Sequence, residues 1–542
     1  MNVTSSNNNV RTMVGFIILF TGFLFFFNIG NRDLWAPDEP RYAQVSKEMR
    51  DSGNFIVPHL NSEPYPDKPP LLFWFVNVSS LLPGAISPLT ARIPSALAGV
   101  GCCLAVFFLG RRLFQSNGIA MMSALILATS SKFLWMAHRV AFDVILTFFV
   151  TMALLCFYRG YTEEKNRGWF YLLFYACMAL GVLTKGPIGF ILPFCTVLTY
   201  LVVKRDARAL KSAKPWIGAA IFLAIVFSWV GLAVIYGGKE YTHQILFKQN
   251  VGRFASSFAH KRPFYYFSIN FPLNFMPWSL FIPGVAAYAF SRKCKEKRTH
   301  ILLPVVWFAV VFIFFSITSG KRDIYVLPLY PAAALLTAWF LHELRGQAQE
   351  KLIQRLGDYP CYILCGMAFV LAVMFPIGVY HHFPEYCVST IPFEIILIGG
   401  GLVMLRSLKQ ARTVFFTYTF SFVILASFAA GTVWVIPLVN RYKSAREICD
   451  KAVAMMRPGD PLAMFNCFGD PYLFYTNNSH IQVMRRLDEL QQFLHSPERV
   501  FLFIQEKDFK AISNALEMPV FVLEKDSVGH RDILFVSNKD IP

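Results

Sequence analysis

Two acidic motifs in the first long hydrophilic segment combine residue types that can support group transfer. The motif Asp38-Glu39-Pro40-Arg41-Tyr42 follows a Trp-Ala-Pro turn, and Asp67-Lys68-Pro69-Pro70 precedes an apolar stretch. A carboxylate can act as a general base, whereas lysine and arginine side chains bind phosphate. Two plainer interpretations stay open: Asp38 as the N-cap of a helix, and Lys68 as a lysine that extends its ammonium group from the membrane surface into water.

Three further motifs place ionisable residues at the ends of apolar stretches. They are His138-Arg139-Val140-Ala141-Phe142-Asp143, Thr184-Lys185-Gly186-Pro187 and Thr318-Ser319-Gly320-Lys321-Arg322-Asp323. Ionisable residues this close to hydrocarbon tend to be paired or functional, although each motif alone is also explained as an interfacial anchor. Together the motifs predict a mixed set of cations and carboxylates suited to an anionic lipid-phosphate substrate, comprising Asp38, Asp143, Lys68, Lys185, Lys321, Arg322 and Arg253.

The elements that must position these residues are membrane spans. Of the 542 residues, 55% are hydrophobic and only 15% are charged, whereas about a quarter of the residues of a soluble protein are charged. The hydrophobic residues form blocks long enough for spans, each of which needs roughly 20 apolar residues. The sequence therefore predicts an all-α polytopic membrane protein with about thirteen transmembrane helices, at residues 13–30, 88–109, 117–136, 141–158, 169–184, 187–203, 215–236, 272–290, 301–318, 326–342, 360–378, 393–406 and 413–437.

Basic residues gather in alternate connectors between these spans. Examples are Arg111-Arg112, the run from Arg292 to Arg298, and the connector with Arg406, Lys409 and Arg412. Because such connectors stay in the cytoplasm, they predict a cytoplasmic N-terminus and long loops on the opposite side at 31–87 and 237–271. The net charge of +18 then reflects topology, and we expect no nucleic-acid partner.

The hydropathy changes near residue 438 to that of a soluble domain. The runs PLAMFNC, RVFLFIQ and PVFVLEK predict short buried strands, while Ser444–Met456 and Asp488–Leu494 predict helices. Alternating strands and helices favour a small α/β fold. We predict a transmembrane domain at 1–437 and a soluble domain at 438–542 on the non-cytoplasmic side, where an oxidising environment would permit Cys449 and Cys467 to pair.

A divalent metal ion is the one cofactor that the sequence suggests. Asp67 and His260 are the candidate ligands, with His59 as a further nitrogen donor. Carboxylate and imidazole groups are common ligands of divalent metals. A histidine in a polar loop is, however, equally explained as an exposed side chain.

The combined motifs resemble those of the 4-amino-4-deoxy-L-arabinose lipid A transferases. In the first loop the resemblance comprises Asp38-Glu39-x-Arg41-Tyr42, Val57-Pro58-His59-Leu60-Asn61 and Lys68-Pro69-Pro70. It continues through Phe142-Asp143, Leu183-Thr184-Lys185-Gly186 and Tyr325-x-Leu327-Pro328 and covers nearly the whole chain. These enzymes belong, with the protein O-mannosyltransferases, to the GT-C class of polytopic glycosyltransferases. Two positions differ from the pattern: Asp67 stands where glutamate is common, and Gln249-Asn250 stand where Glu-His precedes the Arg-Phe of the second loop.

The resemblance implies roles for individual residues. Asp38 would be the principal catalytic carboxylate, with Asp143 and Glu39 as further acids near the reaction centre. The donor phosphate would contact a set of cations that comprises Lys68, Arg253, Arg41, Lys185 and Lys321. Tyr325 would lie in a mobile loop over the lipid cavity, and Tyr42 would also face substrate. The enzyme would reside in the bacterial inner membrane with its C-terminal domain in the periplasm.

The donor implied by the resemblance is an undecaprenyl-phosphate-linked sugar, and the acceptor is lipid A in the lipopolysaccharide. A second hypothesis keeps this donor and replaces the acceptor with a hydroxyl of a protein or another envelope glycan, for which Asp38 would act as general base. A third hypothesis is a transporter or flippase for the lipid-linked sugar. A transporter is expected to show broken or ionisable segments near the bilayer midplane, whereas the charges here lie at the ends of the spans.

Overall fold

The structure, a computed structural model, describes residues 3–245, 261–295, 297–344, 350–410, 412–467 and 469–540. Within these ranges, ten helices are long and apolar enough to cross a membrane, and two bent helix pairs bring the number to 12. The ten are Asn9–Phe26, Pro88–Phe114, Phe142–Thr162, Arg167–Lys185, Pro215–His243, Arg298–Ile317, Asp323–Glu343, Lys351–His382, Pro384–Lys409 and Thr413–Trp434. The chain is thus a multi-pass membrane protein.

The two bent pairs and one short helix account for the remaining apolar stretches. Asn117–Ala128 and Ser131–Ala137 meet at 68°, and Tyr266–Asn274 and Trp278–Phe290 meet at 115°. Ile188–Lys204 is apolar but shorter. Each of the thirteen predicted spans coincides with one of these elements, which confirms the predicted all-α polytopic architecture.

The predicted second long loop, 237–271, contains helical structure at both ends. The range Pro215–His243 comprises two helical segments joined by a kink at Gly238, whose φ is +73°. Glycine adopts this left-handed conformation without the steric cost that a Cβ would add. The predicted start of the loop coincides with this kink, and the helix Tyr266–Asn274 begins before its predicted end.

The first loop has regular structure of its own. It contains the helices Asp38–Ser52 and Leu71–Ser79, and a two-residue pair of strands, β1 (His59–Leu60) and β2 (Glu63–Pro64). The remaining short helices are Arg208–Ser212, Arg292–Cys294, Ile436–Lys443, Arg446–Met455, Asp470–Tyr475, Leu487–Leu494, Glu506–Ile512 and Ser513–Ala515.

The C-terminal segment forms a five-stranded mixed sheet. Its strands are β3 (Leu462–Phe465), β4 (Gln482–Met484), β5 (Phe501–Gln505), β6 (Phe521–Val528) and β7 (Arg531–Ser537), in the order β4-β3-β5-β7-β6. β3 is parallel to β4 and β5, while β7 is antiparallel to β5 and β6. The small α/β fold that the sequence predicts is confirmed.

Side chains on both faces of this sheet are buried. Met464, Phe501 and Phe503 pack on one face, and Leu502 and Ile504 pack on the other. Burial on both faces explains why the central strands read as continuous apolar runs rather than as alternating ones. Cys449 and Cys467, which the sequence suggested as a disulfide pair, are both free thiols.

The chain divides into two compact units. The first comprises Met1–Phe27, Pro66–Leu72 and Arg92–Gly431, and the second comprises Asn28–Tyr65, Phe73–Ala91 and Thr432–Pro542. This division differs from the predicted boundary at residue 437, because most of the first loop groups with the C-terminal sheet rather than with the spans. Hydrogen bonds to the C-terminal segment hold the loop there, as between Asn61 and Ile481.

Candidate functional site

Asp38 lies at the first turn of a helix in the second unit. The helix Asp38–Ser52 follows Pro37, which occupies the N-cap position without a side-chain cap hydrogen bond. Asp38 is therefore the first helical residue, and the interpretation of Asp38 as the N-cap is wrong. Its half-buried carboxylate lies next to the helix N-terminus, where the unpaired backbone N–H groups and the helix dipole stabilise negative charge.

The Glu39 carboxylate is hydrogen-bonded within the protein. Its side chain is fully buried, and its carboxylate accepts hydrogen bonds of 3.2 Å from Arg32 Nη2 and from the Trp35 backbone N–H. The Arg32 guanidinium also stacks over the Trp35 ring, with 4.5 Å to the ring centroid. Glu39 thus connects the Asp38 helix to the turn that precedes it, and its predicted catalytic role stays a prediction.

Arg41 forms an ion pair that the sequence did not predict. Its Nε and Nη2 both lie 2.7 Å from Oδ2 of Asp470, and the two side chains are only 25% and 15% exposed. Asp470 begins the short helix Asp470–Tyr475 in the C-terminal sheet domain. Arg41 was predicted to bind the donor phosphate, whereas in the structure its guanidinium is engaged by a carboxylate. Tyr42, predicted to face substrate, is buried against the Phe73 ring.

The electrostatics of Asp470 reflect its surroundings. Burial raises the pKa of the Asp470 carboxyl above its ordinary value, and the negative charge of Asp38 adds to this rise. The Arg41 guanidinium opposes the rise by favouring the ionised carboxylate. Asp470 is therefore paired with Arg41, while the Asp38 carboxylate adds a weaker repulsion.

Further contacts hold the segment before the Asp38 helix against the C-terminal domain. The backbone N–H of Leu34 donates to the Tyr475 hydroxyl at 2.6 Å, and Tyr475 lies on the same short helix as Asp470. Asn440 Oδ1 accepts from the Asp33 backbone N–H at 3.0 Å and from Trp35 Nε1 at 2.8 Å. The C-terminal domain consequently determines where the first turn of the Asp38 helix lies.

The first unit gathers three other predicted residues. Asp143 lies in the first turn of Phe142–Thr162, is 5% exposed, and forms a short ion pair with Lys185. Lys185 is the last residue of its helix, and its ammonium group lies 4.7 Å from the centroid of the Tyr325 ring. The structure thus brings Asp143, Lys185 and Tyr325 together. Tyr325 belongs to a 3-10 helix, Asp323–Leu329, rather than to an irregular loop.

Lys321 is held by backbone carbonyls. Its buried ammonium group donates to the carbonyl of Arg262 at 3.2 Å and to the carbonyl of Thr318. Burial lowers the pKa of Lys321. The neighbouring Asp323 pairs with Lys132. These contacts connect the 318–323 turn to adjacent segments, and they use two of the three N–H donors of the Lys321 ammonium group.

The remaining predicted residues stay as predictions. Asp67 and Lys68 belong to the Pro66–Leu72 segment of the first unit, where both side chains are half-buried. Arg253 and His260 lie outside the described residues. Among the described residues, no group of three or more His, Cys, Asp or Glu side chains lies close enough to hold a metal ion. His59 donates from Nδ1 to the carbonyl of Val57 at 2.9 Å.

Asp470 is the residue that sequence reasoning missed. It stands in the motif Phe-Gly-Asp-Pro-Tyr, whose Asp-Pro pair was available as the signal for a helix start with an acidic first residue. Nothing in that motif indicates that the carboxylate pairs with Arg41. The pairing depends on a contact between positions 429 residues apart in the chain.

Comparison with known proteins finds similarity to polyprenyl-phosphate-dependent glycosyltransferases. Residues 9–243 match the family described as dolichyl-phosphate-mannose-protein mannosyltransferase. The chain is 31% identical over 395 residues to an undecaprenyl phosphate-alpha-4-amino-4-deoxy-L-arabinose arabinosyl transferase of Edwardsiella ictaluri, with 70% of each chain covered. It is 29% identical over 473 residues to an uncharacterized protein of Aquifex aeolicus, with 86% of this chain and 87% of that protein covered.

A solved structure has the same fold. The crystal structure of ArnT from Cupriavidus metallidurans bound to undecaprenyl phosphate superposes with a TM-score of 0.80 at 20% identity. The superposition covers 97% of this chain and 98% of that one. The GT-C fold that the motifs predicted is confirmed over the whole length of the chain.

Proposed function

The chain belongs to the family of undecaprenyl phosphate-α-4-amino-4-deoxy-L-arabinose arabinosyl transferases, and from this premise we propose that it transfers 4-amino-4-deoxy-L-arabinose from undecaprenyl phosphate to a phosphate group of lipid A. It is a polyprenyl-phosphate-sugar-dependent glycosyltransferase. The observation that carries the proposal is the Arg41–Asp470 ion pair, by which the C-terminal domain holds the helix that begins with the half-buried Asp38.

In the proposed reaction, a lipid A phosphate oxygen forms a bond to the anomeric carbon of the sugar. The bond from that carbon to the phosphate oxygen of the carrier breaks, and undecaprenyl phosphate leaves with the electron pair. The nucleophile is already an anion, so no general base is required. The carrier leaves as an anion too, and fixed cations that stabilise its developing charge lower the barrier.

We assign Asp38 to the sugar and the cations to the carrier. The amino group of the sugar is a cation at neutral pH, and a carboxylate at a fixed position can orient it, which raises the rate without proton transfer. Lys68 and Lys185 are the assigned phosphate contacts, with Asp143 fixing the position of the Lys185 ammonium group. Glu39 and Asp470 act as positioning residues through Arg32 and Arg41.

A metal ion stays part of the proposal only as an option at Asp67 and His260. The described residues provide no cluster that fits one, so no step of the reaction is assigned to it.

We place the N-terminus in the cytoplasm and the C-terminal domain in the periplasm, because the basic connectors follow the positive-inside rule. This topology is tested in a variant whose eleven native cysteines are replaced by serine. A single cysteine is introduced at Ser496 or at Ser212 and labelled with a membrane-impermeant maleimide in intact cells, and only the Ser496→Cys variant should react.

The decisive experiment is mass spectrometry of lipid A from cells with the gene, without it, and with Asp38→Asn. A mass increment of one aminopentose that requires both the gene and Asp38 supports the proposal. The match to the protein mannosyltransferase family favours one alternative acceptor, a protein hydroxyl. Unmodified lipid A together with a glycosylated envelope protein, in cells that express the chain at normal levels, would establish that alternative.

A further inference from the structure

A cavity of about 790 Å³ lies at the end of the Phe142–Thr162 helix opposite to Asp143. Its lining includes the side chains of Arg111, Arg112 and Arg159. Asp143 and Arg159 are separated by about 24 Å along the helix axis, at a rise of 1.5 Å per residue. The cavity is therefore separate from the Asp143–Lys185 pair and has no role in the proposed transfer reaction.

The cavity carries uncompensated positive charge. Three guanidinium groups line it, and Glu163 is the one acidic side chain among its lining residues. Arg159 donates from Nε and Nη2 to both carboxylate oxygens of Glu163, at 3.1 and 3.3 Å. Arg112 donates from Nε and Nη2 to the hydroxyl and carbonyl oxygens of Thr162, at 3.1 and 3.3 Å. These bonds fix two of the guanidinium groups at the wall of the cavity.

The Arg111 guanidinium has N–H groups that make no hydrogen bond to the described part of the chain. Within the described part of the chain, its one hydrogen bond runs from Nε to Asn117 Oδ1 at 3.1 Å, so both terminal NH₂ groups remain for a ligand. A planar guanidinium offers two parallel N–H bonds to the oxygens of a phosphate. His300 also lines the cavity, and its Nδ1 donates to the carbonyl of Leu113 at 2.7 Å.

The cavity also has apolar walls. Phe108 and Leu113 line it beside the arginines, and both belong to the transmembrane helix Pro88–Phe114. A site with guanidinium groups at the end of a span and aromatic or aliphatic groups on the span itself matches an amphiphile with an anionic head. The basic connectors predict that these helix ends face the cytoplasm, where anionic lipids attract clustered arginines.

We propose that this cavity binds a phosphate group, that of an anionic phospholipid headgroup, with Arg111 as the principal ligand. Arg112 and Arg159 add fixed positive charge, and Phe108 contacts the first part of an acyl chain. A soluble phosphate ester shares the same headgroup chemistry but makes no use of the apolar wall. The two sources of phosphate are therefore distinguishable by experiment.

The test uses the purified full-length chain in a neutral detergent. Phosphatidylglycerol, phosphatidylcholine and inorganic phosphate are titrated separately, and binding is read from the thermal unfolding midpoint and from native mass spectrometry. We expect phosphatidylglycerol to bind and phosphatidylcholine not to bind. Arg111→Gln should weaken phosphatidylglycerol binding about tenfold, the loss expected for a charge-assisted hydrogen bond. Arg111→Lys, which keeps the charge but lacks the two parallel N–H donors, should recover only part of it.

Arg208→Gln is the matched control. Arg208 is an exposed arginine in another basic connector, and it does not line the cavity. General attraction of anionic lipid to a basic surface predicts equal losses in the Arg111→Gln and Arg208→Gln variants, and that result would overturn the proposal. Retention of full binding by Arg111→Gln would overturn it too. Arg111-dependent protection by inorganic phosphate equal to that by phosphatidylglycerol would assign the site to a soluble phosphate instead of a lipid.

Discussion

Replacement of Asp470 by asparagine tests whether the C-terminal domain positions the catalytic helix. Asparagine keeps the shape of the side chain and one acceptor oxygen for Arg41, but removes the charge that pairs with the guanidinium. An exposed ion pair contributes about 0–1 kcal/mol, whereas loss of one partner from a fully buried pair costs about 3–5 kcal/mol. The Arg41 and Asp470 side chains are 25% and 15% exposed. Burial raises the pKa of the Asp470 carboxyl, so the folded state favours the neutral form of this group. We therefore expect the neutral amide to change the free energy of unfolding by less than about 1 kcal/mol.

The effect on catalysis should exceed the effect on stability. Arg41 lies three residues after Asp38 on the same helix, so loss of its fixed partner allows the first helical turn to shift. A displacement of about 1 Å at a reacting group can lower a rate about 100-fold. We expect kcat of Asp470→Asn to fall about 10- to 100-fold, with little change in KM for the donor. Asp470→Glu, which retains the charge, should recover part of the lost kcat.

The assay is transfer of aminoarabinose in proteoliposomes, with lipid A product quantified by mass spectrometry. Asp460→Asn is the matched control, because Asp460 pairs with Arg499 in the same sheet domain and their side chains are 16% and 20% exposed. Both variants should stay folded, but only Asp470→Asn should lose kcat. The reasoning is refuted if Asp470→Asn turns over like the wild type, or if Asp460→Asn loses as much kcat.

Three further predictions concern the charged residues of the site. Asp38→Asn should lower kcat by about 100-fold, because the carboxylate that orients the sugar loses its charge, while the thermal unfolding midpoint stays close to that of the wild type; near-normal turnover would remove Asp38 from the mechanism. Lys185→Met should destabilise the protein by about 3–5 kcal/mol because it leaves the Asp143 carboxylate buried without its cation. The double variant Lys185→Met/Asp143→Asn should recover stability, measured by thermal unfolding, but not transfer activity, measured by product yield. The raised pKa of Asp470 means that the folded state takes up this proton before the unfolded state does, so the contribution of Asp470 to the free energy of unfolding grows as the pH falls through that pKa. Protonation of Asp470 also breaks its ion pair with Arg41, so the kcat of the wild type should decline as the pH falls through this pKa, while its stability does not. The pH–rate profile of Asp470→Asn should lack this decline.

Hydropathy alone determined the membrane-spanning part. Each predicted span coincides with a helix or a bent helix pair, because hydrocarbon leaves the backbone of an apolar segment no hydrogen-bond partners except its own. The same argument from local pattern located β3, β5 and β6 in the C-terminal domain. β4 and β7 were not predicted. β4 is only three residues long, whereas β7 was missed although its residues from Ile533 to Val536 are apolar and buried.

The motifs also identified which residues carry charge near the membrane surface. Asp143 and Lys185 were predicted on separate segments, and the structure pairs them. The sequence did not show that these charges are held within the protein, as are those of Glu39, which pairs with Arg32, and of Lys321, which donates to backbone carbonyls. Burial and hydrogen-bond partners decide which charges are held in this way, and neither is encoded in residue type or in spacing along the chain.

The sequence by itself therefore determined the class of protein, its spans and most of its candidate residues, because these depend on local hydropathy and on short motifs. Only the tertiary structure decided that the first loop belongs with the C-terminal sheet, and that Arg41 pairs with the Asp470 carboxylate, whereas the sequence predicted that it binds a phosphate. Such a pairing joins residues 429 positions apart. It follows from how two segments pack, and no local pattern in either segment contains that information.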